Sequence, residues 1–191
     1  FGQDVDDDNL TSIVMRDTRT KCTAAHICES EGITDKWIVT QLVKDIESWG
    51  YTKIILKSDG EPAILQLVEE IKRRREHPTI PQSPPAYDPA ANGVAEHAVQ
   101  DFMAQMRACK IGLENRTKTK IETNWRILEW MAEHAAGTIN RAMVGHDGKT
   151  AYERNKGKAA KVLGIDFGEA VLWKRRPVGG ALGKLAVMWE D

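Results

Sequence analysis

Long apolar runs are missing from this chain. No stretch approaches the roughly 18 consecutive apolar residues of a membrane-spanning helix, and a mean hydropathy of -0.45 fits a soluble protein. Cysteine is scarce. Cys22, Cys28 and Cys109 form no CxxC pair and no Cys/His metal spacing, which excludes a disulfide scaffold and a zinc finger and leaves reduced thiols of an intracellular protein. His26 stands alone between Cys22 and Cys28 and makes no zinc site. Net charge is nearly absent: 27 Lys+Arg against 28 Asp+Glu leave -1, so the total does not announce nucleic acid. Residues 1–90 are nevertheless acidic on balance and residues 91–191 basic, and a neutral sum can conceal a basic face on one half. Residues 1–8 lack the basic start and apolar centre of a signal peptide. Without an initiating methionine they read as the opening of a fragment or a processed piece. Internal repeats and low-complexity segments are missing too.

What is present suits one domain, or one domain with an appendage: 191 residues, of which 41% are hydrophobic. Residues 11–16 (TSIVMR) and 21–27 read as two strands joined by a polar turn at Asp17. Thr34 or Asp35 caps a helix to about residue 49, with Trp37, Ile38, Leu42, Val43, Ile46 and Trp49 inward; Gly50 ends it. Residues 54–56 (IIL) read as a strand of the buried parallel kind. A helix over 61–75 follows, with Ile64, Leu65, Val68 and Ile71 inward, then an edge strand over 79–83 and a proline-rich loop over 84–89. Two long helices are expected, over 92–111 (Ala95, Val99, Phe102, Met106 and Cys109 inward) and 122–143, with Trp125 and Trp130 as packing residues. Strands alternating with helices, then helices alone, argue for an α/β core with a mixed central sheet flanked by helices. The Gly-, Lys- and Arg-rich tail differs, giving an expected division into a core over 1–148 and a linker plus the start of a C-terminal module over 149–191.

Two carboxylates stand where chemistry is usually placed. Asp59 follows the C-terminal end of the 54–56 strand, the edge at which open α/β sheets build sites. Glu96 falls in the first turn of a helix, where the dipole favours an anion. Each has an ordinary alternative: Asp-Gly after a strand is a common turn, and Glu early in a helix serves capping.

Taken together, the surrounding residues are sharper. Residues 55–62 (ILKSDGEP) resemble the second-aspartate motif of retroviral and retrotransposon integrases, and residues 83–96 (SPPAYDPAANGVAE) resemble their third motif, a proline loop leading into Asn-Gly-x-x-Glu. The spacing is similar to the family's D,D(35)E pattern with one residue added. Residues 150–158 and Phe167-Gly168 resemble the segment after the core in copia-type elements. The resemblance implies an RNase H-like fold and a polynucleotidyl transferase that binds element DNA ends and joins them to target DNA by metal-dependent transesterification, acting in the nucleus as a homo-oligomer. It implies two Mg²⁺ or Mn²⁺ ions on three carboxylates, with Asp59 and Glu96 as two of them. The family's first aspartate sits on a strand before the hairpin, so the core reads as truncated at strand 1, with Asp4 as the candidate inside the chain. The residues to meet DNA are Lys57, Asn92, His97, Gln100, Arg107 and Lys110, with Lys118, Lys120 and the tail's Lys174, Arg175 and Arg176 as further phosphate contacts. Lys72–Arg75 reads instead as a solvated helix end.

The sequence departs from the family after Glu96, where basic residues are usual and His97-Ala-Val-Gln100 stand here. That departure keeps open a degenerate or domesticated module that binds DNA or assembles without catalysis. Another RNase H-like nuclease or a DNA transposase core is the third reading.

Overall fold

A computed structural model describes residues 10–28, 36–58, 60–83, 93–161, 164–174 and 189–190. Thr11–Arg16 (β1) and Thr23–Cys28 (β2) pair antiparallel, Thr11 opposite Cys28 and Arg16 opposite Thr23. The turn between them is built on Asp17. Its carboxylate accepts the N–H of Arg19 at 3.2 Å and of Thr20 at 2.8 Å, the Thr20 hydroxyl, and the Tyr51 hydroxyl at 2.9 Å. Lys21, expected to start the second strand, adopts φ 68° and belongs to the turn. Its N–H donates to the Asp17 carbonyl at 2.9 Å.

The chain continues through Lys36–Ser48 (α1), Ile54–Lys57 (β3), Pro62–Arg74 (α2) and Thr79–Gln82 (β4). Strands β3 and β4 pair in parallel. Among the described residues no ladder joins this pair to the hairpin. Two long helices follow, Gly93–Thr117 (α3) and Ile127–Ala142 (α4). Side chains alternate across a strand, so the hairpin feeds two cores. Ile13, Met15 and Cys28 pack with Ile38, Leu42 and Ile46 of α1, with Leu67 and Ile71 of α2, and with Ile54 and Leu56 of β3. On the other face Val14, Ala25 and Ile27 pack with Phe102 and Met106 of α3 and Met131, Ala132 and Ala135 of α4. The architecture is the expected α/β arrangement of strands between helical layers. No helix among the described residues is long and apolar enough to cross a membrane.

Helix α4 lies directly on β2. Alanines at 132, 135 and 136 meet Ala25, and small side chains let the backbones approach. Near the helix end the Asn140 amide treats Thr23 as a neighbouring strand would: the Thr23 N–H donates to Asn140 Oδ1, and Asn140 Nδ2 donates to the Thr23 carbonyl, both at 2.7 Å. Buried His26 ties α1 to β2 through Nε2, 2.6 Å from Asp45; its Nδ1 lies 3.4 Å from Glu133 of α4 without a hydrogen bond.

The tail opens with a short helix, Ala151–Lys156 (α5), which carries a reciprocal capping box between Thr150 and Glu153 and ends at Gly157 with φ 68°. Ala151 is buried, and Arg154 donates to the Thr20 carbonyl at 3.2 Å, so this helix is seated on the hairpin turn. Two-residue strands, Trp173–Lys174 (β5) and Trp189–Glu190 (β6), pair antiparallel.

Several expected burials are corrected. Val39, not Trp37, is fully buried on α1, and Trp37 is half exposed. Leu67 replaces Leu65 on α2, and Ala98 replaces Ala95 and Val99 on α3. In each case helical spacing finds the apolar stripe but not its centre, which the opposing layer selects. Strand β3 is parallel but not buried on both faces: Ile55 and its partner Ile80 share an exposed side. Helix α3 extends to Thr117, and α4 starts only at Ile127. Trp125 precedes α4, and neither it nor Trp130, 68% exposed, packs in the core. In the Lys72–Arg75 run, Lys72, Arg73 and Arg74 pair with Glu69 and Glu70 at the surface. Arg75 is instead buried, bonding Glu47 and Thr79 at 2.7 Å and the Tyr51 carbonyl at 3.1 Å.

Asn140→Ala is expected to cost about 1–3 kcal/mol, because it strands two backbone groups of Thr23; an unchanged urea midpoint would contradict the splice. Burial pushes the Asp17 carboxyl up, but the hydrogen bonds from Thr20, Tyr51 and Arg19 outweigh it and hold the group below 3.8. A depressed folded value stabilises the fold fully above 3.8, and that contribution disappears as the pH falls through the lower folded value. Asp17→Asn is therefore expected to be less stable than the parent at neutral pH, and the gap is expected to close in acid. A gap that stays constant across a pH series of urea melts would contradict this.

Candidate functional site

Strand β3 delivers the chain to one edge of the parallel pair. The ladder persists past its last residue, since the Ser58 N–H donates to the Gln82 carbonyl at 3.2 Å. Lys57 is exposed at this end. Asp59, the next residue but one, lies outside the described residues, as do Asp4, Asn92, Arg175 and Arg176. Backbone pairing places Lys174 in β5.

Helix α3 begins at Gly93 and carries Glu96 in its first turn, as the sequence reading expected. Its rotation is set by the apolar face that α4 and the hairpin cover, namely Ala98, Phe102, Met106 and Leu113. Positions three and four apart share a face, so Glu96, Gln100, Met103 and Arg107 form one outward stripe, all exposed. His97 is exposed beside it. Among the described residues no hydrogen bond or ion pair engages Glu96, and none joins Lys57 to α3. Lys110 pairs with Glu114 at 3.6 Å. Farther along, Lys118 is exposed in a left-handed turn with φ 54°, and Lys120 stands 4.0 Å from Glu122. The structure thus gathers Glu96, Gln100 and Arg107 on one surface, with the apolar Val99 and Met103 open beside them. Among the described residues no cluster of three or more His, Cys, Asp or Glu has the geometry to hold a metal ion.

Sequence reasoning missed the group that orients this helix. Arg16, at the end of β1, donates through Nε to Thr23 Oγ1 at 3.0 Å and pairs through NH2 with Asp101 at 2.8 Å. Arg16 is largely buried, so the pair fixes α3 against the hairpin five residues from Glu96. No periodicity or motif marks it. Asp101 follows an apolar-and-polar run like any solvated helix position, and only the fold brings Arg16 opposite.

No family model and no curated protein matches the chain. Solved structures do. The catalytic core domain of BIV integrase matches over 76% of this chain and 85% of that one, with 19% identity and a TM-score of 0.53. A simian T-cell lymphotropic virus intasome, in complex with PP2A regulatory subunit B56 gamma, matches over 96% of this chain and 65% of that one, with 15% identity and a TM-score of 0.56. At such identities the likeness is one of fold. The chain has an integrase-like, RNase H-type core fold.

In a double-mutant cycle, Arg16→Ala and Asp101→Ala are expected to couple by about 1 kcal/mol or more, as a partly buried charged pair does. Additive losses would show that the two side chains do not support one another.

Proposed function

We propose that this chain is the catalytic core of a DDE-type integrase, a polynucleotidyl transferase that joins the ends of element DNA to target DNA. The observation that carries the reading is Glu96: an exposed carboxylate in the first turn of α3, without an ion-pair or hydrogen-bond partner among the described residues, on a fold shared with integrase cores, within the Asn-Gly-x-x-Glu motif. A carboxylate left free of cationic partners is suited to a hard divalent metal, Mg²⁺ or Mn²⁺. In this reading Asp59, at the end of β3, supplies a second ligand, and Asp4 or a residue preceding Phe1 supplies the third. Paired divalent ions supply Lewis acidity at the attacking 3′-hydroxyl and at the leaving oxygen in such reactions. The chain's own side chains hold the DNA: Gln100 and His97 by hydrogen bonds beside Glu96, and Arg107, with Lys57, Asn92 and Lys110, at the phosphates.

The proposed active unit is a homo-oligomer. Trp37 stacks edge-on against His26 at 5.8 Å, and Trp130 precedes Glu133, the other neighbour of His26, by three residues on α4. Both indoles are exposed, and aromatic residues are enriched where protein surfaces meet. The neutral residues open beside Glu96 support a second reading, a core that binds DNA or assembles without catalysis.

A disintegration assay with branched DNA and Mn²⁺ separates the two. Activity of the chain, lost by at least about a hundredfold in Glu96→Gln and Asp59→Asn while folding is kept, is expected for the enzyme. Joining at the parental rate in either variant would overturn the assignment. Binding of DNA without joining, even after residues preceding Phe1 are restored, would establish the non-catalytic reading.

A further inference from the structure

Beside the middle of α3 lies a cavity of about 160 Å³, whose lining includes two of the cations proposed above to meet phosphates. Its floor is buried and apolar, made by Phe102 and Met106 of α3 and Leu128 and Met131 of α4. At its mouth stand two cations, Arg107 and Lys110. Arg107 is exposed and has no ion-pair partner among the described residues; Lys110 is shared with Glu114 at 3.6 Å. An apolar cavity of about 150 Å³ stays dry and accepts a benzene-sized molecule. Here the two charges at the rim add a preference that a plain cavity lacks. A guanidinium at the edge of an apolar site offers a fork for a carboxylate.

We propose that this cavity is a small-molecule site for a compact apolar carboxylate, one ring or a short branched chain bearing a single anionic group. The apolar body fills the space between Phe102 and Met131, and the carboxylate meets Arg107, with Lys110 beside it. A protein partner fits poorly, because stable docking surfaces bury on the order of 1,000 Å² or more and this cavity holds only about 160 Å³. The site is lined from α3, including Met103 and Arg107 of its outward stripe, and from β1 and α4, so an occupant stabilises the folded chain by mass action. The proposal does not depend on the reading of Glu96 as a catalytic group.

The test uses the whole chain, labelled with carbon-13 at its methionine methyls and titrated with millimolar phenylacetate, with phenylacetamide as the neutral comparison. Saturable shifts at Met103, Met106 and Met131, with Met15 and Met143 unmoved, are expected, together with a raised melting temperature. Phenylacetamide and the double variant Arg107→Gln, Lys110→Gln are each expected to bind about tenfold more weakly, the scale of one lost charge-assisted contact. Since both replaced residues are at the surface, the variant is expected to fold. Equal affinity for acid and amide would overturn the anionic specificity. Shifts that never saturate, or that are as large at Met15 and Met143, would overturn the site.

Discussion

Asn140 does for β2 what a neighbouring strand would do, and the contacts that reach α3 start from the same residue, Thr23. The amide closes both backbone groups of Thr23. The Thr23 hydroxyl accepts from Arg16 across the hairpin, and Arg16 reaches out to Asp101 on α3. Four elements are thereby fixed to one another through a single residue of β2. Buried polar groups are costly unless every member is satisfied, so the chain of contacts has one arrangement. In that arrangement α3 turns Phe102 and Met106 inward and Glu96 outward. The apolar face of α3 and the Arg16–Asp101 pair thus act together in turning Glu96 outward.

Much of this was legible in the residues because it is local. The hairpin announced itself by β-branched residues around a polar turn. The end of α1 was written in Gly50, whose φ of 82° a side chain resists. Glu96 was found by a motif, and the fold places it in the first turn of a long helix. What escaped depends on partners distant in sequence. Trp37 and Leu65 fit a helical period as well as Val39 and Leu67 do, and only the opposing layer chooses between them. Arg75 looked like the last of a run of surface cations, yet it is the one that Glu47, Thr79 and Tyr51 enclose. The capping box Thr150-x-x-Glu153 was a local signal that could have been read, and it marks a helix in a stretch whose glycines and lysines suggested only a linker.

The electrostatics of the candidate surface are spare. Along the outward stripe Arg107 alone is a free cation among the described residues, and the apolar Val99 and Met103 are exposed beside it. Each phosphate neutralised by a side chain adds to affinity and to its salt dependence. Under the proposed function, a stripe this neutral would leave more of the phosphate contact to Lys57 at the strand end and to Lys118 and Lys120 beyond the helix.

The pairing of Thr23 with Asn140 spans 117 residues. During synthesis β2 leaves the ribosome long before α4 exists, and its face of Ala25 and Ile27 has only part of its cover until α4 follows α3. Contacts of such long range slow folding and leave strand edges open to other nascent chains. The hairpin therefore passes through translation as an unprotected sheet edge. A ribosome stalled before residue 140 would hold a chain with a strand already formed and its cover not yet complete, the species on which a chaperone would act.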